Sequence, residues 1–299
     1  MVAEYRPVII GGSVIGNYLA YRLTQKGLKP IVIEEHPKIG EPVQCTGLVS
    51  KRIFELEKLP KRLVKNKIKR LVVHFPDDSI VKVKGDAYVL DRAALDTYFY
   101  EKAKEGGADY LLGEKVIKLV TVDYVYAKTT KRKFRTDIII GADGPMSMVR
   151  THFGLFYNMV PAVQAVAKYK TEPGETHVYI GSQYTDYQFA WAVPESRTTA
   201  RIGMFVTEDT HGRLNRFLES LGAKAMEVEA GIVPIDYPKQ SAFAHALLVG
   251  DAACQTKAST GGGIVTGMIC ADVAADAIAK AYETRDFSKN ALVRDYDVI

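Results

Sequence analysis

Several features are scarce in this 299-residue chain, and each scarcity excludes a class of protein. Its three cysteines, Cys45, Cys254 and Cys270, are too few and too scattered for a disulfide framework, and no CxxC or Cys/His spacing indicates a metal site. No apolar stretch is long enough to span a membrane, and the first residues lack the basic segment of a signal peptide. We therefore expect a cytoplasmic protein with reduced thiols, and leave open a peripheral contact with a membrane.

The composition is that of a soluble globular protein, with 47% apolar and 25% charged residues. Its length allows one large or two modest domains. The net charge is +5, and acids and bases are mixed along the chain apart from a basic run, KRKFR, at 131–135. We interpret this run as a solvated hairpin tip, with contact to nucleic acid or anionic lipid as the less favoured alternative.

The opening of the chain follows a strand–turn–helix–strand pattern. Residues 8–10 are predicted as a buried strand, 14–26 as a helix closed by a glycine, and 31–34 as a second strand. The turn at 11–16 has the sequence GGSVIG. A glycine turn alone is common, but its place between a strand and a helix is typical of a dinucleotide site.

Four residues of this opening are candidates for contact with a dinucleotide. Gly11 permits the tight turn, and Gly16 permits close packing of helix and strand, so that the helix N-terminus faces the pyrophosphate. Ser13 stands where the middle glycine of the fingerprint is usual. Glu34 ends the second strand, where a carboxylate accepts hydrogen bonds from the adenosine ribose. The pattern does not choose between NAD and FAD.

Two later segments resemble those of FAD-dependent hydroxylases and their relatives. Residues 136–150, TDIIIGADGPMSMVR, are similar to the strand, G-A-D-G and S-x-V-R segment of that superfamily, which implies cofactor contacts by Asp143 and Gly144. Residues 248–253, LVGDAA, are similar to the late G-D-A segment, whose aspartate, here Asp251, binds the ribityl chain. Either segment alone could be a turn after a buried strand. The presence of both segments in this order, after an acid placed to bind the ribose, implies FAD.

Three further stretches resemble the geranylgeranyl reductase family of prenyl-lipid reductases, and the resemblance extends over nearly the whole chain. Residues 39–50, IGEPVQCTGLVS, are similar to the segment that carries the redox-site cysteine of the family. Residues 189–194, FAWAVP, are similar to its aromatic-x-Trp-x-Phe-Pro motif, with Val193 where Phe is usual. Residues 257–264, KASTGGGI, are similar to its late glycine turn.

The resemblance gives two residues a predicted catalytic role. Cys45 could be a small buried hydrophobe, but the flanking match favours a catalytic or flavin-proximal position. Trp191, the only tryptophan, could equally be a core residue of a half-buried strand or a ligand contact.

The late glycine turn and one arginine complete the predicted cofactor site. Gly261, Gly262 and Gly263 open an apolar helix, and their bare N–H groups would stabilise negative charge near the pyrimidine edge of a reduced flavin. Three glycines at such a place are costly for an ordinary loop, which favours close approach of the backbone. Arg92, beside a predicted helix cap, could reach an FAD phosphate or lie on a surface helix.

The predicted fold is α/β, with a Rossmann-like FAD-binding domain around a parallel sheet and an inserted, mainly antiparallel β-sheet substrate domain. The expected FAD-binding segments are 1–68, 86–160 and 240–299, and the expected substrate segments are 69–85 and 161–239. Only 18 residues follow a helix predicted to end near Ala281, whereas family members usually continue further. These residues are mostly polar or charged, so we expect them to cover little apolar surface and to leave the substrate cavity less enclosed.

The resemblance implies an FAD-dependent reductase that saturates carbon–carbon double bonds of an apolar prenyl lipid, with Cys45 as the first candidate acid. A flavin-dependent monooxygenase or halogenase, and a non-catalytic FAD-binding electron-transfer protein, are the alternatives. The sequence has no second nucleotide fingerprint, so we expect electrons from transiently bound NAD(P)H or from a ferredoxin-like donor protein. We expect no metal and no nucleic-acid partner.

Overall fold

The computed structural model describes residues 2–4 and 6–297. Met1, Tyr5, Val298 and Ile299, which belong to the predicted FAD-binding segments, lie outside the described residues. The α-helices of the described chain are α1 (Val14–Gln25), α2 (Ile53–Leu56), α3 (Arg92–Glu105), α4 (Met148–His152), α5 (Thr210–Ser220), α6 (Ile264–Thr284) and α7 (Lys289–Leu292). Its strands are β1 (Val2–Glu4), β2 (Val8–Ile10), β3 (Ile31–Glu34), β4 (Leu48–Ser50), β5 (Val64–His74), β6 (Ile80–Leu90), β7 (Asp109–Leu112), β8 (Val116–Thr121), β9 (Val125–Thr129), β10 (Lys133–Thr136), β11 (Ile139–Gly141), β12 (Met159–Lys168), β13 (Glu175–Ile180), β14 (Phe189–Pro194), β15 (Thr199–Phe205), β16 (Lys224–Pro234), β17 (Ala242–Phe243) and β18 (Ala246–Leu248).

The chain divides into two compact units. Unit 1 comprises Met1–Glu41, Ala93–Asn158 and Pro234–Ile299, and unit 2 comprises Pro42–Arg92 and Met159–Val233. The predicted breaks at 68/69 and 85/86 fall inside β5 and β6, which pair with each other along most of their length. Residues 42–68 and 86–92 therefore group with the antiparallel sheet, because the backbone hydrogen bonds of these two strands continue past both predicted breaks.

Unit 1 is built around a six-stranded sheet of order β17-β18-β11-β2-β3-β7. Five of its strands run parallel, and β17 joins the edge in the antiparallel sense. The central strands are wholly apolar and buried, as expected of a parallel sheet covered on both faces. A four-stranded sheet of order β1-β10-β9-β8 contributes Leu119, Val125 and Phe134 to the same core cluster. The predicted Rossmann-like parallel sheet is confirmed.

Unit 2 is an eight-stranded sheet of order β16-β12-β15-β14-β13-β5-β6-β4. Of the pairs whose direction is resolved, only β13 with β5 is parallel, so the prediction of a mainly antiparallel inserted sheet is confirmed. One face of this sheet packs against α5, where Leu214 and Phe217 meet Ile202 and Met204. The helix is amphipathic, and its buried residues share this one face.

The end of the chain differs from its expected role. Helix α6 continues to Thr284, and α7 and a π-helical turn, Val293–Asp297, follow it. Phe287, Leu292 and Tyr296 are buried, so the expectation that this segment covers little apolar surface is wrong for its described part. Its buried apolar residues recur every four or five positions, so they face the core together. The high polar content of the segment conceals this pattern in the sequence. None of the described helices has both the length and the apolar character needed to cross a membrane.

A buried ion-pair network crosses three strands of unit 2. The Arg201 Nε donates to Glu195 at 2.8 Å, and its Nη1 donates to Glu229 at 2.7 Å. The Gln164 amide nitrogen also donates to Glu229, at 2.7 Å. Because the side chains of the three charged residues are 8–12% exposed, removal of the guanidinium would leave the Glu229 carboxylate buried without a cation and Glu195 with only Lys65, whose Nζ lies 3.2 Å from its carboxylate.

The first prediction concerns this network. Arg201→Met should lower the free energy of unfolding by about 3–5 kcal/mol, because unpaired buried charges are costly. The matched control is Arg216→Met, which breaks the Arg216–Asp209 pair, in which both side chains are more than half exposed. That change should cost at most about 1 kcal/mol. Urea unfolding of both variants checks the prediction, and equal losses would contradict it.

Candidate functional site

The predicted cofactor residues of unit 1 follow neighbouring strands of its parallel sheet. Gly11 comes directly after β2, Glu34 ends β3, Asp143 follows β11 and Asp251 follows β18. Since these strands are adjacent in the order β18-β11-β2-β3, the four residues line the carboxyl edge of the sheet in that order. Ligands of open α/β sheets bind at this edge. The structure thus brings together segments that are as many as 240 positions apart in the sequence.

The glycine turn after β2 is packed too tightly to hold side chains. Gly11 has φ +104°, and a Cβ there would lie 2.3 Å from the carbonyl oxygen of Ala142. A Cβ on Gly16 would lie 1.9 Å from the carbonyl oxygen of Gly11. Neither backbone group can move aside without breaking the sheet or the helix, so both positions require glycine. The two glycines therefore let α1 begin close against the sheet, with its N-terminus at the carboxyl edge, where a pyrophosphate can bind.

Glu34 is held at this turn by backbone donors. One carboxylate oxygen accepts from the Gly12 N–H at 2.6 Å, and the other accepts from the His36 N–H at 2.9 Å. The His36 Nδ1 lies 2.6 Å from that second oxygen. An ionised carboxylate has about four acceptor sites, so the group keeps capacity for a further donor such as a ribose hydroxyl. The position fits the predicted role of Glu34.

A buried polar cluster behind the turn was not predicted. The Asn17 amide donates to the Gly12 carbonyl at 2.6 Å and to the Asp96 carbonyl at 3.1 Å, and the Tyr110 hydroxyl donates to the Asn17 side-chain oxygen at 3.0 Å. Burial raises the pKa of Tyr110, so its hydroxyl remains a donor. The Ser13 hydroxyl donates to the Asp96 carboxylate at 3.1 Å, which ties this residue to α3. The one sequence signal that could have identified Asn17 as a member of this cluster is its polar side chain on the otherwise apolar, buried face of α1.

Asp143 makes its described side-chain contacts within its own loop. The carboxylate accepts from the Ser147 hydroxyl at 2.5 Å and from the N–H groups of Met148 and Val149 at 2.8 and 3.3 Å. It therefore stabilises the start of α4, while burial raises its pKa. Gly144 has φ +71° and no atom within 4 Å of an added Cβ, so its backbone stands open. Cofactor contact by either residue stays a prediction.

The late glycine turn lies beside Asp251. A Cβ on Gly263, the residue before α6, would lie 2.8 Å from a carboxylate oxygen of Asp251. Gly261 has φ +66°, and an added Cβ on Gly262 would meet only a threonine hydroxyl, at 3.4 Å. The two predicted late segments thus share one place, although the Gly261 N–H already donates to the Lys257 carbonyl at 2.8 Å. Their contacts with FAD remain predictions.

The C-terminal segment supports the turn that carries Asp251. The buried Tyr296 hydroxyl donates to the Leu248 carbonyl at 2.8 Å and accepts from the Gln255 amide at 2.9 Å. The Gln255 side-chain oxygen accepts from the Gly250 N–H at 2.7 Å. Burial raises the pKa of Tyr296, which keeps the hydroxyl protonated. Sequence reasoning missed this support because nothing local connects position 296 with the Gly250–Asp251 turn.

Cys45 and Arg92 fall in unit 2. Cys45 lies half-buried in the loop before β4, and its Sγ accepts from the Gly47 N–H at 3.4 Å. Gly47 has φ +71°, and a Cβ there would lie 2.2 Å from the Leu90 carbonyl oxygen, so the loop is anchored against β6. Arg92 is the first residue of α3. Their predicted roles, at the reacting centre and at a phosphate, stay predictions.

Trp191 lies half-buried on β14 among aromatic side chains. Its ring meets Phe189 and Phe205 edge-on, at centroid distances of 6.1 and 5.5 Å. Its indole Nε1 is buried and has no hydrogen-bond partner among the described residues. Buried indole N–H groups usually have an acceptor, so this orphan donor agrees better with a ligand contact than with plain core packing. Ligand contact by Trp191 nevertheless stays a prediction.

The residues of unit 1 fit FAD. The N-terminus of α1, directly after a tight glycine turn, suits the pyrophosphate, Glu34 suits the adenosine ribose, and Asp251 beside the late glycine turn suits the ribityl chain. The described residues contain no group of three or more His, Cys, Asp or Glu that could hold a metal. The fold and the site define an FAD-dependent oxidoreductase.

Comparison with known proteins defines the family. The family model described as "Lycopene cyclase protein" matches residues 7–297. The digeranylgeranylglycerophospholipid reductase 2 of Methanothermobacter thermautotrophicus is 32% identical, over 94% of this chain and 79% of that protein. The namesake from Methanopyrus kandleri is 28% identical, over 98% of this chain and 82% of that protein. The chain therefore belongs to the family that the lycopene cyclase model describes and to the digeranylgeranylglycerophospholipid reductases. The resemblance to geranylgeranyl reductases is confirmed.

Solved structures agree with the fold. A geranylgeranyl bacteriochlorophyll reductase-like protein from Thermoplasma acidophilum superposes with a TM-score of 0.92 at 23% identity, over all of this chain and 83% of that one. A p-nitrophenol 4-monooxygenase from Pseudomonas putida gives a TM-score of 0.82 at 16% identity, covering 99% and 84%. A halogenase variant in complex with FAD gives 0.77 at 14%, covering 98% and 73%. These similarities establish the shared fold.

The second prediction tests the two cofactor carboxylates. Glu34→Ala and Asp251→Ala should each lower the FAD content of the purified yellow protein and weaken FAD binding at least tenfold, because a hydrogen bond to a charged acceptor contributes about 1.5–3 kcal/mol. The control is Glu219→Ala, an exposed acid on α5. The ratio of flavin absorbance to protein absorbance measures occupancy. Full occupancy in both variants would refute the placement of the site.

The third prediction tests the support from the C-terminal segment. Tyr296→Phe keeps the ring but leaves the Gln255 amide without its acceptor, so FAD should bind about five- to tenfold more weakly, for a loss of about 1 kcal/mol. Tyr282→Phe is the matched control, because that hydroxyl is buried with no hydrogen-bond partner among the described residues. Fluorescence titration of the apoproteins with FAD gives both affinities. Equal FAD affinities of the two variants would show that the Tyr296 hydrogen bonds do not contribute to FAD binding.

Proposed function

We propose that the protein is an FAD-dependent reductase that saturates carbon–carbon double bonds of a prenyl lipid. The observation that carries this proposal is the 32% identity, over nearly the whole chain, with a protein named digeranylgeranylglycerophospholipid reductase. Electrons come from NAD(P)H or from a ferredoxin-like protein. The substrate is a lipid, so we also propose a peripheral contact with a membrane.

An apolar sheet face of unit 2 supports the choice of an apolar substrate. Trp191 pairs in register with Val178, Val178 with Val73, and Val73 with Val81, so one row of apolar side chains crosses four strands. Directly opposed residues of neighbouring strands point to the same face. None of the four is fully buried, and Val81 is exposed. Such a row suits the side of an extended isoprenoid chain better than a small aromatic ring.

The proposed reaction adds a hydride and a proton across a double bond. Bound FAD, once reduced, supplies the hydride, and one carbon–carbon π bond is replaced by two C–H bonds. An isolated alkene is poorly polarised, so the proton must arrive nearly together with the hydride from a positioned acid. We assign this role to the Cys45 thiol. The Gly47 N–H, which contacts the sulfur at 3.4 Å, would stabilise the charge left on it.

A flavin-dependent monooxygenase or halogenase is the alternative that shares the fold. The solved structures whose names carry those activities are 14–17% identical to this chain, which carries no argument about the reaction. No observation favours a non-catalytic electron-transfer protein. The reductase therefore remains the function with the best support.

The fourth prediction tests the reaction. Protein reduced anaerobically with dithionite, then mixed with a geranylgeranyl lipid in detergent, should give a product heavier by two mass units per bond. The same mixture under air should give no product heavier by 16. Dithionite replaces the physiological donor, so failure to identify that donor does not affect the result. A product that gains oxygen would favour the monooxygenase.

The same assay tests Cys45. Cys45→Ser should keep full FAD content and a normal rate of flavin reduction, while the rate of substrate reduction falls at least tenfold, because a hydroxyl is a much weaker acid than a thiol. Cys270→Ser is the control, since Cys270 lies on α6 in unit 1. A turnover rate that Cys45→Ser leaves unchanged would return this residue to a packing role.

A further inference from the structure

The four-stranded sheet of unit 1 concentrates the positive charge of the protein. Residues 115–136, which span β8, β9 and β10, contain seven lysines and arginines and one acid, Asp123. Their net charge is +6, whereas that of the whole chain is +5. The rest of the chain is thus nearly neutral. An anionic surface would therefore be attracted to this sheet, and not to the protein as a whole.

Three of these lysines lie side by side across the strands. Lys118 of β8 is opposite Lys128 of β9, and Lys128 is opposite Lys133 of β10. All three are exposed, and in the described part of the chain no acid lies within salt-bridge distance of any of them. Like charges directly opposite one another destabilise a sheet. An anionic partner would relieve that repulsion, which the sheet itself leaves uncompensated.

Exposed aliphatic side chains adjoin the lysine row. Val120 is two residues beyond Lys118 on β8, so the two side chains point to the same face, and Val122 follows in the turn after this strand. Val120 is 42% exposed and Val122 is 62% exposed. Ile117 stands at the irregularity between β8 and β9 and is 47% exposed. The sheet contributes residues such as Leu119, Val125 and Phe134 to the core cluster of unit 1, and none of the three exposed aliphatic residues belongs to that cluster.

The mixture of lysines and aliphatic side chains indicates the kind of partner. An RNA or DNA surface would match the lysines but would leave the valines and the isoleucine without an apolar contact. An acidic protein would also match the lysines and leave the aliphatic side chains without an apolar contact, unless it carried a matching apolar patch. The interface of an anionic bilayer offers both, since its headgroups are charged and its acyl boundary is apolar.

We propose that this outer sheet face, formed by Lys118, Val120, Val122, Lys128 and Lys133, docks the protein on an anionic lipid bilayer. The proposal rests on the proposed function in one respect, because a prenyl-lipid substrate resides in a bilayer. The surface itself follows from its charges and exposed side chains. Each basic residue near such a membrane contributes about a fivefold gain in affinity, so the three lysines contribute about 100-fold.

Vesicle sedimentation with the full-length, FAD-loaded protein tests the docking face. The protein should bind vesicles of phosphatidylcholine and phosphatidylglycerol at 7:3 and should not bind pure phosphatidylcholine. The variant Lys118→Gln/Lys128→Gln/Lys133→Gln should bind the anionic vesicles about 100-fold more weakly. Its thermal stability should be unchanged or higher, because the repulsion is removed. Val122→Ser should also weaken binding, and high salt should not restore it.

A control with the same change in net charge makes the test specific. Lys58→Gln/Lys84→Gln/Lys224→Gln removes three exposed lysines of unit 2 and should bind the anionic vesicles like the unmodified protein. The proposal would be overturned if both triple variants lost vesicle binding equally, or if the unmodified protein did not bind anionic vesicles. It would also be overturned if the protein bound poly(U) RNA more tightly than vesicles and the three sheet lysines were required for that binding.

Detergent-solubilised substrate separates this proposal from the proposed function. The sheet variant should reduce a geranylgeranyl lipid in detergent at the rate of the unmodified protein, because no bilayer is involved. Vesicle binding without any reduction of lipid would sink the proposed function and leave the docking face standing. Normal reduction without vesicle binding would do the reverse.

Discussion

The rest of the cofactor site depends on how closely three stretches of backbone approach one another at the carboxyl edge of the parallel sheet. The glycine turn after β2 lies against the loop after β11, with space for a hydrogen atom and not for a methyl group at Gly11. The start of α1 then folds back on the turn, which Gly16 alone permits. Every other feature of the site is positioned from these contacts, because they determine where the helix N-terminus points.

Two polar supports keep this edge in place from behind. Asn17 and Tyr110 hold the carbonyl of the glycine turn, and Gln255 and Tyr296 hold the turn before Asp251. Asn17 and Tyr296 are buried, so their polar groups have to find partners within the protein, and the partly buried Tyr110 and Gln255 supply them. The second support joins the C-terminal end of the described chain to the site. We therefore expect cofactor binding to depend on the folding of a segment whose composition suggested a peripheral tail.

Much of the site was predictable because it depends on local patterns. Strand, turn and helix periodicities placed Gly11, Glu34 and Asp251 at strand ends, and the adjacency of parallel strands then brought them together. The Ser13–Asp96 bond and the Tyr296 support were not predictable, because each joins residues far apart in sequence through tertiary packing. A single sequence without local signals at both partners cannot reveal such pairs.

The unit boundaries show the same limit in another form. The strand β5 begins at Val64 with a lysine at every second position, and this high charge conceals its continuity with the apolar residues further along. Its pairing with β6 extends the antiparallel sheet to both sides of the predicted substrate segment. Asp143 is a related case, since a motif that implied a cofactor contact also supplies the hydrogen bonds that begin α4. Sequence similarity identifies such a residue but does not separate a structural role from a predicted cofactor contact.

A crystal structure of the FAD-loaded protein tests this cofactor site. We expect the pyrophosphate at the N-terminus of α1, the adenosine ribose within hydrogen-bond distance of Glu34, and the ribityl chain beside Asp251. An FAD bound elsewhere, or bound here with neither carboxylate in contact with it, would show that the site is wrongly placed.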